Sequence, residues 1–282
     1  MTSDATFWIC RTCAVEHADR PDVCAICADE RQWVPATGQE WTTLDELAGE
    51  GLATEASELE PGLLALRTAP GVGIGQRSKV VSTPAGALLW DPLGFVDDAG
   101  VAAVVAAAGG GDVVVAASHP HMFGVQVEWS RRLAAATGRD VPVLVSEADA
   151  GWVARPDAVV STWSGEREVL PGVVLSQPGG HFPGSAVAHW SGAADGRGVL
   201  LSGDTIFANP DRTSVSFMRS YPNRIPLSGA VVTRVAEHVA RRPFDRLYNN
   251  FDGVVPAAAR DVVLRSAERH AAWVRGDFDH LT

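Results

Sequence analysis

The chain has 282 residues, 46% of them hydrophobic, with 34 acidic against 23 basic side chains and a formal charge of -11. Such a length buries a sizeable core and fits one large domain with a small appendage, or two modest domains. The acidic balance argues against gripping a phosphate backbone over a broad surface, so a small-molecule substrate is expected rather than nucleic acid.

The opening stretch MTSDATFWIC has no basic segment followed by an apolar one, and no secretory signal is expected. All four cysteines then fall within residues 10 to 27, as Cys10-x2-Cys13, ten residues, and Cys24-x2-Cys27. Disulfide-stapled secreted chains do not distribute cysteine this way, and a cytoplasmic protein is expected. Each C-x-x-C turn aims two thiolates at one point, and two such turns make a tetrahedral metal site. The segment, taken as residues 1–45, is too short for a core of its own, so a metal would supply much of its folding free energy. It resembles a zinc ribbon or rubredoxin-like knuckle; zinc is expected, while iron would make it an electron carrier. Its first 30 residues hold more acidic than basic side chains and no lysine, which ranks nucleic acid low as a partner. His17, between the pairs, is expected in a solvated loop, and Trp33 and Trp41 are expected to pack the module onto the rest.

From about Leu63 short β-like runs alternate with helical ones. LLALRTA, IGQRSKVVS and GALLWD read as strands, VAAVVAAA as a helix, DVVVAAS as a strand and VEWSRRLAAATG as a helix ended by its glycine. The stretch from Gly100 to Ser118, broken by GGGD, is therefore no membrane span. VPVLVS, the run from Val169 to Ser176, AVAHW and GVLLSG add strands. Ser228 predicts the N-cap of a helix through about Arg242, and Pro256 the first turn of one reaching about Val274.

Candidate ligands stand at the ends of these elements. His119 and His121 close the DVVVAAS strand, where alternate residues of an extended segment point the same way. His181 sits in GGHFPG, and Asp204 ends the apolar run LLSGD. Singly, each has an ordinary use in a turn or a hydrogen bond; together they suit a metal.

In order and rough spacing, HPH, GGHFPG and SGD resemble the ligand motifs of the metallo-β-lactamase superfamily, and Asp91 in ALLWDP matches the aspartate that family often carries before its first helix. The resemblance covers roughly residues 60 to 282. It implies an α+β fold, a four-layer αβ/βα sandwich over residues 46–282 with the metal site at one edge. The chain departs from the family's His-x-His-x-Asp-His, having Phe123 and Gly124 where the second metal's ligands would stand. The family's last histidine is also missing from LYNNFDG, residues 247 to 253. The first site survives as His119, His121, His181 and Asp204, with zinc or iron as the occupant.

One metal then implies a mononuclear hydrolase that uses a metal-bound water on a small ester, lactone, amide or phosphoester, with Asp204 as fourth ligand or as base. Two histidines and Asp204 around Fe(II) would instead resemble the superfamily's single-iron sulfur dioxygenases. A third possibility is a retired domain kept as a metal-binding scaffold. Arg219 is the expected anion clamp, with Tyr221, Phe217 and Met218 beside it in TSVSFMRSYPNRIP, where the family places substrate-facing loops. Asn249, Asn250 and Asp252 are surface turn residues by default, with a pocket role as the alternative. Trp152 and Trp163 are expected to pack under loops, His189 to be a strand side chain with an ordinary partner, and His238, His270 and His280 to have no role in the site.

Overall fold

A computed structural model describes residues 7–282. The first six residues of the stretch read as lacking a signal lie outside that range. The described chain divides into two compact units, one of residues up to Val145 with Ala150–Trp163, the other of Ser146–Asp149 with Ser164–Thr282.

The first unit opens with the cysteine knuckle. Strand β1 (Trp8–Cys10) pairs antiparallel with β2 (Glu16–His17) and with β3 (Trp41–Thr42). Helix α1 (Ala25–Ala28) carries Cys27, and α2 (Leu44–Gly49) begins on a capping box, Thr43 and Glu46 each satisfying the other's backbone N–H. Ala14, with φ of 62°, lies so near Gly73 and Gly94 that a Cβ on either glycine would collide with it. The missing side chains let two backbones meet there. Trp33 does not pack the knuckle down: it is 46% exposed. Trp41 instead meets His17 edge-on within the knuckle, ring centroids 4.7 Å apart.

A seven-stranded sheet follows, built from β4 (Ala53–Glu60), β5 (Leu63–Ala69), β6 (Ser78–Thr83), β7 (Gly86–Trp90), β8 (Asp112–Ala116), β9 (Val143–Ser146) and β10 (Val160–Trp163). Its order is β10-β9-β8-β7-β6-β5-β4. β4 to β7 form an antiparallel meander, whereas β7, β8 and β9 run parallel and need helical crossovers. These are α3 (Asp98–Ala108) and α4 (Gln126–Thr137), each ended by a left-handed glycine, Gly109 and Gly138. On β6 lies Lys79, the chain's one lysine, 2% exposed with Nζ donating to the Arg77 carbonyl at 3.1 Å.

The second unit holds β11 (Glu166–Leu170), β12 (Val173–Ser176), β13 (Val187–Trp190), β14 (Val199–Leu201), β15 (Phe207–Ala208), β16 (Val215–Ser216), β17 (Met218–Ser220), β18 (Ile225–Pro226), β19 (Arg246–Tyr248) and β20 (Val254–Val255). Six of them form a sheet of order β11-β12-β13-β14-β19-β20, and β15-β16 and β17-β18 form two small ribbons. The run from Val169 to Ser176 is two strands rather than one, because Gly172 takes a φ of 78° and turns the chain. Helices α5 (Gly229–Ala240) and α6 (Ala259–Val274) pack on each other, and Phe217, Leu200, Val232, Val235, Leu247 and Val263 share their core. Ser228 caps α5 as expected, accepting from the Val231 N–H. α6 starts at Ala259, not Pro256, since Ala258 adopts a left-handed φ of 50° just before it.

Candidate metal centres

In the knuckle the four buried sulfurs form one group, with Cys10 Sγ 3.6 Å from Cys27 Sγ and Cys13 Sγ 3.8 Å from Cys24 Sγ. A tetrahedral zinc site with bonds of about 2.3 Å has edges of about 3.8 Å, so the donor set fits that ion. Gln39 bridges two corners, donating from Nε2 to Cys10 Sγ at 3.0 Å and accepting the Cys24 N–H at 3.1 Å. Mutual hydrogen bonds split the thiols: Cys10 falls to about 7 and Cys24 far below its usual range, while Cys13 and Cys27 are pushed up. Four thiolates cannot share one buried spot without a cation. His17 corrects the expectation of a solvated loop, being 5% exposed on β2 with Nε2 3.4 Å from Cys24 Sγ.

His119 and His121 follow β8, at the carboxyl end of parallel strands where α/β sheets commonly place ligands. The segment is not extended as alternation requires. Pro120–Met122 is a short 3₁₀ turn, and the two imidazoles still come together, centroids 5.1 Å apart. Ser118 sets the first ring, its Oγ 2.9 Å from His119 Nδ1. Asp91 in turn sets Ser118, accepting its N–H on Oδ1 at 2.6 Å, and burial raises the Asp91 carboxyl to about 6 against the pull of His119 and that N–H. Phe123 is buried core, and Gly124 has a φ of 51° and no room for a Cβ beside the Pro92 and Leu93 carbonyls. Packing and backbone geometry thus occupy both positions.

In the second unit, Gly179 and Gly180, with φ of 69° and 99°, swing His181 into place. Its Nδ1 donates to the Met218 carbonyl at 3.0 Å, and its Nε2 stands 3.9 Å from Asp204 Oδ2. Asp204 follows β14 in a turn closed by Ser202, whose Oγ donates to the Ile206 carbonyl at 2.6 Å. Tyr221 donates its hydroxyl to the Asp204 and Ser216 carbonyls, each at 3.1 Å, and desolvation and the Asp204 charge hold its proton firmly. Arg219 is half-buried on β17. Asn249 and Asn250 correct the surface expectation: both are 1% exposed. They follow β19, the parallel neighbour of β14, and Asn249 Oδ1 accepts the N–H groups of Phe251 and Gly253 to make the turn. His189 donates Nε2–H to the Val239 carbonyl at 3.2 Å, His270 meets the Leu227 carbonyl and His238 meets Arg241.

One ligand atom from each of His119, His121, His181 and Asp204 lies within 4.8 Å of the others, and all four residues are buried. Three imidazoles and a carboxylate suit zinc or iron(II), and with Nδ1 of His119 and His181 already bonded, Nε2 of each would be the atom that holds the ion. Ser118 is absent from the sequence expectations, and a hydroxyl beside a ligand histidine is a signal that could have found it; Met218, expected in a substrate-facing loop, instead sets the second ring through its carbonyl.

No family model matches the chain. It is 39% identical over 279 residues, 97% of this chain and 99% of the other, to the "Uncharacterized protein YmaE" of Bacillus subtilis (strain 168). Among solved structures it resembles the DIM-1 metallo-β-lactamase with a TM-score of 0.55 and 11% identity, covering 77% of this chain and 99% of that one. It likewise resembles TMB-1, with a TM-score of 0.56 and 12% identity over 79% and 99% of the two chains. The metallo-β-lactamase FIM-1 of Pseudomonas aeruginosa, in its mono-zinc form, gives 0.53 and 14% over 77% and 96%. These likenesses show the α+β fold expected from the motifs.

Proposed function

The chain belongs to the same family as YmaE and has the metallo-β-lactamase fold, and from that premise we propose a hydrolase that works with one metal ion on a small ester, lactone, amide or phosphoester. The observation that carries the proposal is the grouping of one ligand atom from each of His119, His121, His181 and Asp204. When bound, zinc supplies Lewis acidity at neutral pH.

The chain's own residues prepare the rest. Ser118 Oγ and the Met218 carbonyl fix the two imidazoles they touch, which keeps the ligand set in one geometry. Asp204 completes that set or takes the proton of the attacking water on its carboxylate, and Tyr221 steadies it by bonding its backbone carbonyl. With that hydroxyl committed, Tyr221 offers substrate its ring, while Arg219 is proposed to clamp a carboxylate or phosphate. Phe123 and Gly124 leave no donors for a second ion on the histidine turn. Zinc in the four-cysteine group is proposed as structural.

The test is metal content. Protein purified without added metal or a chelating tag should hold two ions per chain, and a His119→Ala/His181→Ala variant one. If both hold one, the proposal fails. Zinc as the lost ion, with hydrolysis of an ester and lactone panel abolished in the variant, supports it; iron as the lost ion points to oxygen chemistry instead.

A further inference from the structure

The knuckle reaches the histidine turn directly. Glu16, on β2, donates its backbone N–H to the Gly124 carbonyl at 3.0 Å. Its side chain is 2% exposed; Oε1 accepts the Val127 N–H and Oε2 accepts Arg155 Nη1, each at 2.6 Å. Arg155 also stands 3.6 Å from Glu128 on α4 and 3.9 Å from the Phe7 ring, and Ala18 donates its N–H to the Ala154 carbonyl.

Helix α4 has no local cap, because the Val125 side chain at the cap position carries no oxygen. Val127 is among the first-turn residues whose N–H has no partner inside the helix. Glu16 supplies the missing acceptor from 111 residues away. On its other side, Glu16 is fixed by the cysteines: His17 beside it meets Cys24 Sγ, and Ile9, its partner on β1, precedes Cys10. Burial opposes the charge of this carboxylate and pushes it up to about 7 despite Arg155.

We propose that the four-cysteine knuckle clamps the segment from His119 to Val127, with Glu16 as the positioning residue, so that losing the knuckle's metal loosens the histidine pair. The consequence for metal binding rests on the reading of those histidines as ligands; the clamp does not, and its test reads the backbone.

The test is amide hydrogen exchange by mass spectrometry on the full chain, with knuckle metal measured in parallel. The samples are wild type, Glu16→Ala, Glu16→Gln, and wild type treated with p-hydroxymercuribenzoate. That thiol reagent acts on the knuckle alone, since the chain has no other cysteine. Peptides covering residues 119 to 130 should exchange about fivefold faster or more in Glu16→Ala and in the treated protein, the factor that losing one helix cap corresponds to. Strands β12 to β14 should be unchanged, and Glu16→Gln, still able to accept one N–H, should lie between. Unchanged exchange in residues 119 to 130, or an equal rise in every segment, overturns the proposal. If Glu16→Ala does not fold, Glu16→Gln and the mercurial sample decide by the same criteria.

Discussion

Replacing Gly124 by alanine tests why the histidine turn ends in glycine. A Cβ there would overlap the Pro92 carbonyl oxygen and stand 2.5 Å from that of Leu93. These neighbours are backbone and cannot rotate away, and the Leu93 carbonyl already accepts the Val125 N–H and the Trp129 indole N–H. The left-handed conformation costs an alanine about 1–2 kcal/mol. Displacing Leu93 weakens two hydrogen bonds worth about 1 kcal/mol each. The expected loss is therefore about 3–4 kcal/mol. Gly138 isolates the second contribution, because it has a similar φ of 68° with nothing within 4 Å of the place its methyl would take. Gly138→Ala should cost only the conformational part, about 1–2 kcal/mol. Urea unfolding of both variants, metal-loaded, measures the difference. Losses equal within about 0.5 kcal/mol would refute the assignment to the Pro92 and Leu93 carbonyls.

Three further outcomes are expected. Asp97→Ala should lose about 2 kcal/mol in urea unfolding, because Asp97 both caps α3 through the Gly100 N–H and ties the Thr54 N–H of β4; a loss below about 0.5 kcal/mol would deny it that double role. Burial holds His189 down to about 4 from 6.5, so its contribution is complete above pH 6.5 and is lost as pH falls through 4. His189→Gln should shallow that acid limb by up to about 3 kcal/mol, the free-energy equivalent of a fall from 6.5 to about 4, and an identical pH profile would show that His189 titrates normally. Cys24→Ser should lower metal content by one ion per chain in a wild-type or a His119→Ala/His181→Ala background alike; no change would mean the four sulfurs hold no metal.

Local chemistry made some features legible and long-range chemistry hid others. Apolar runs with glycine or serine punctuation announce β7, β8, α4 and α5, and the cysteine spacing and histidine motifs announce both ligand groups. Nothing in ATEASELE announces β4: alanine and glutamate are poor strand formers, and only Thr54 and Glu60 of its residues are buried, so no alternation survives. His17 reads as a loop residue because its use depends on Cys24 folding back beside it. Glu16 is less legible still, since the N–H it caps lies 111 residues later at Val127. The burial of Asn249 and Asn250 follows from β19 lying beside β14, a pairing that turn propensity does not contain.

The single buried lysine bears on how the protein can be handled. Every exposed cationic side chain is an arginine or a histidine, so amine-directed fluorophores, resins and cross-linkers find no lysine on the folded surface. Acylation of Lys79 requires its Nζ to leave the Arg77 carbonyl and reach water. Its labelling rate therefore reports local opening around β6 without any engineered probe.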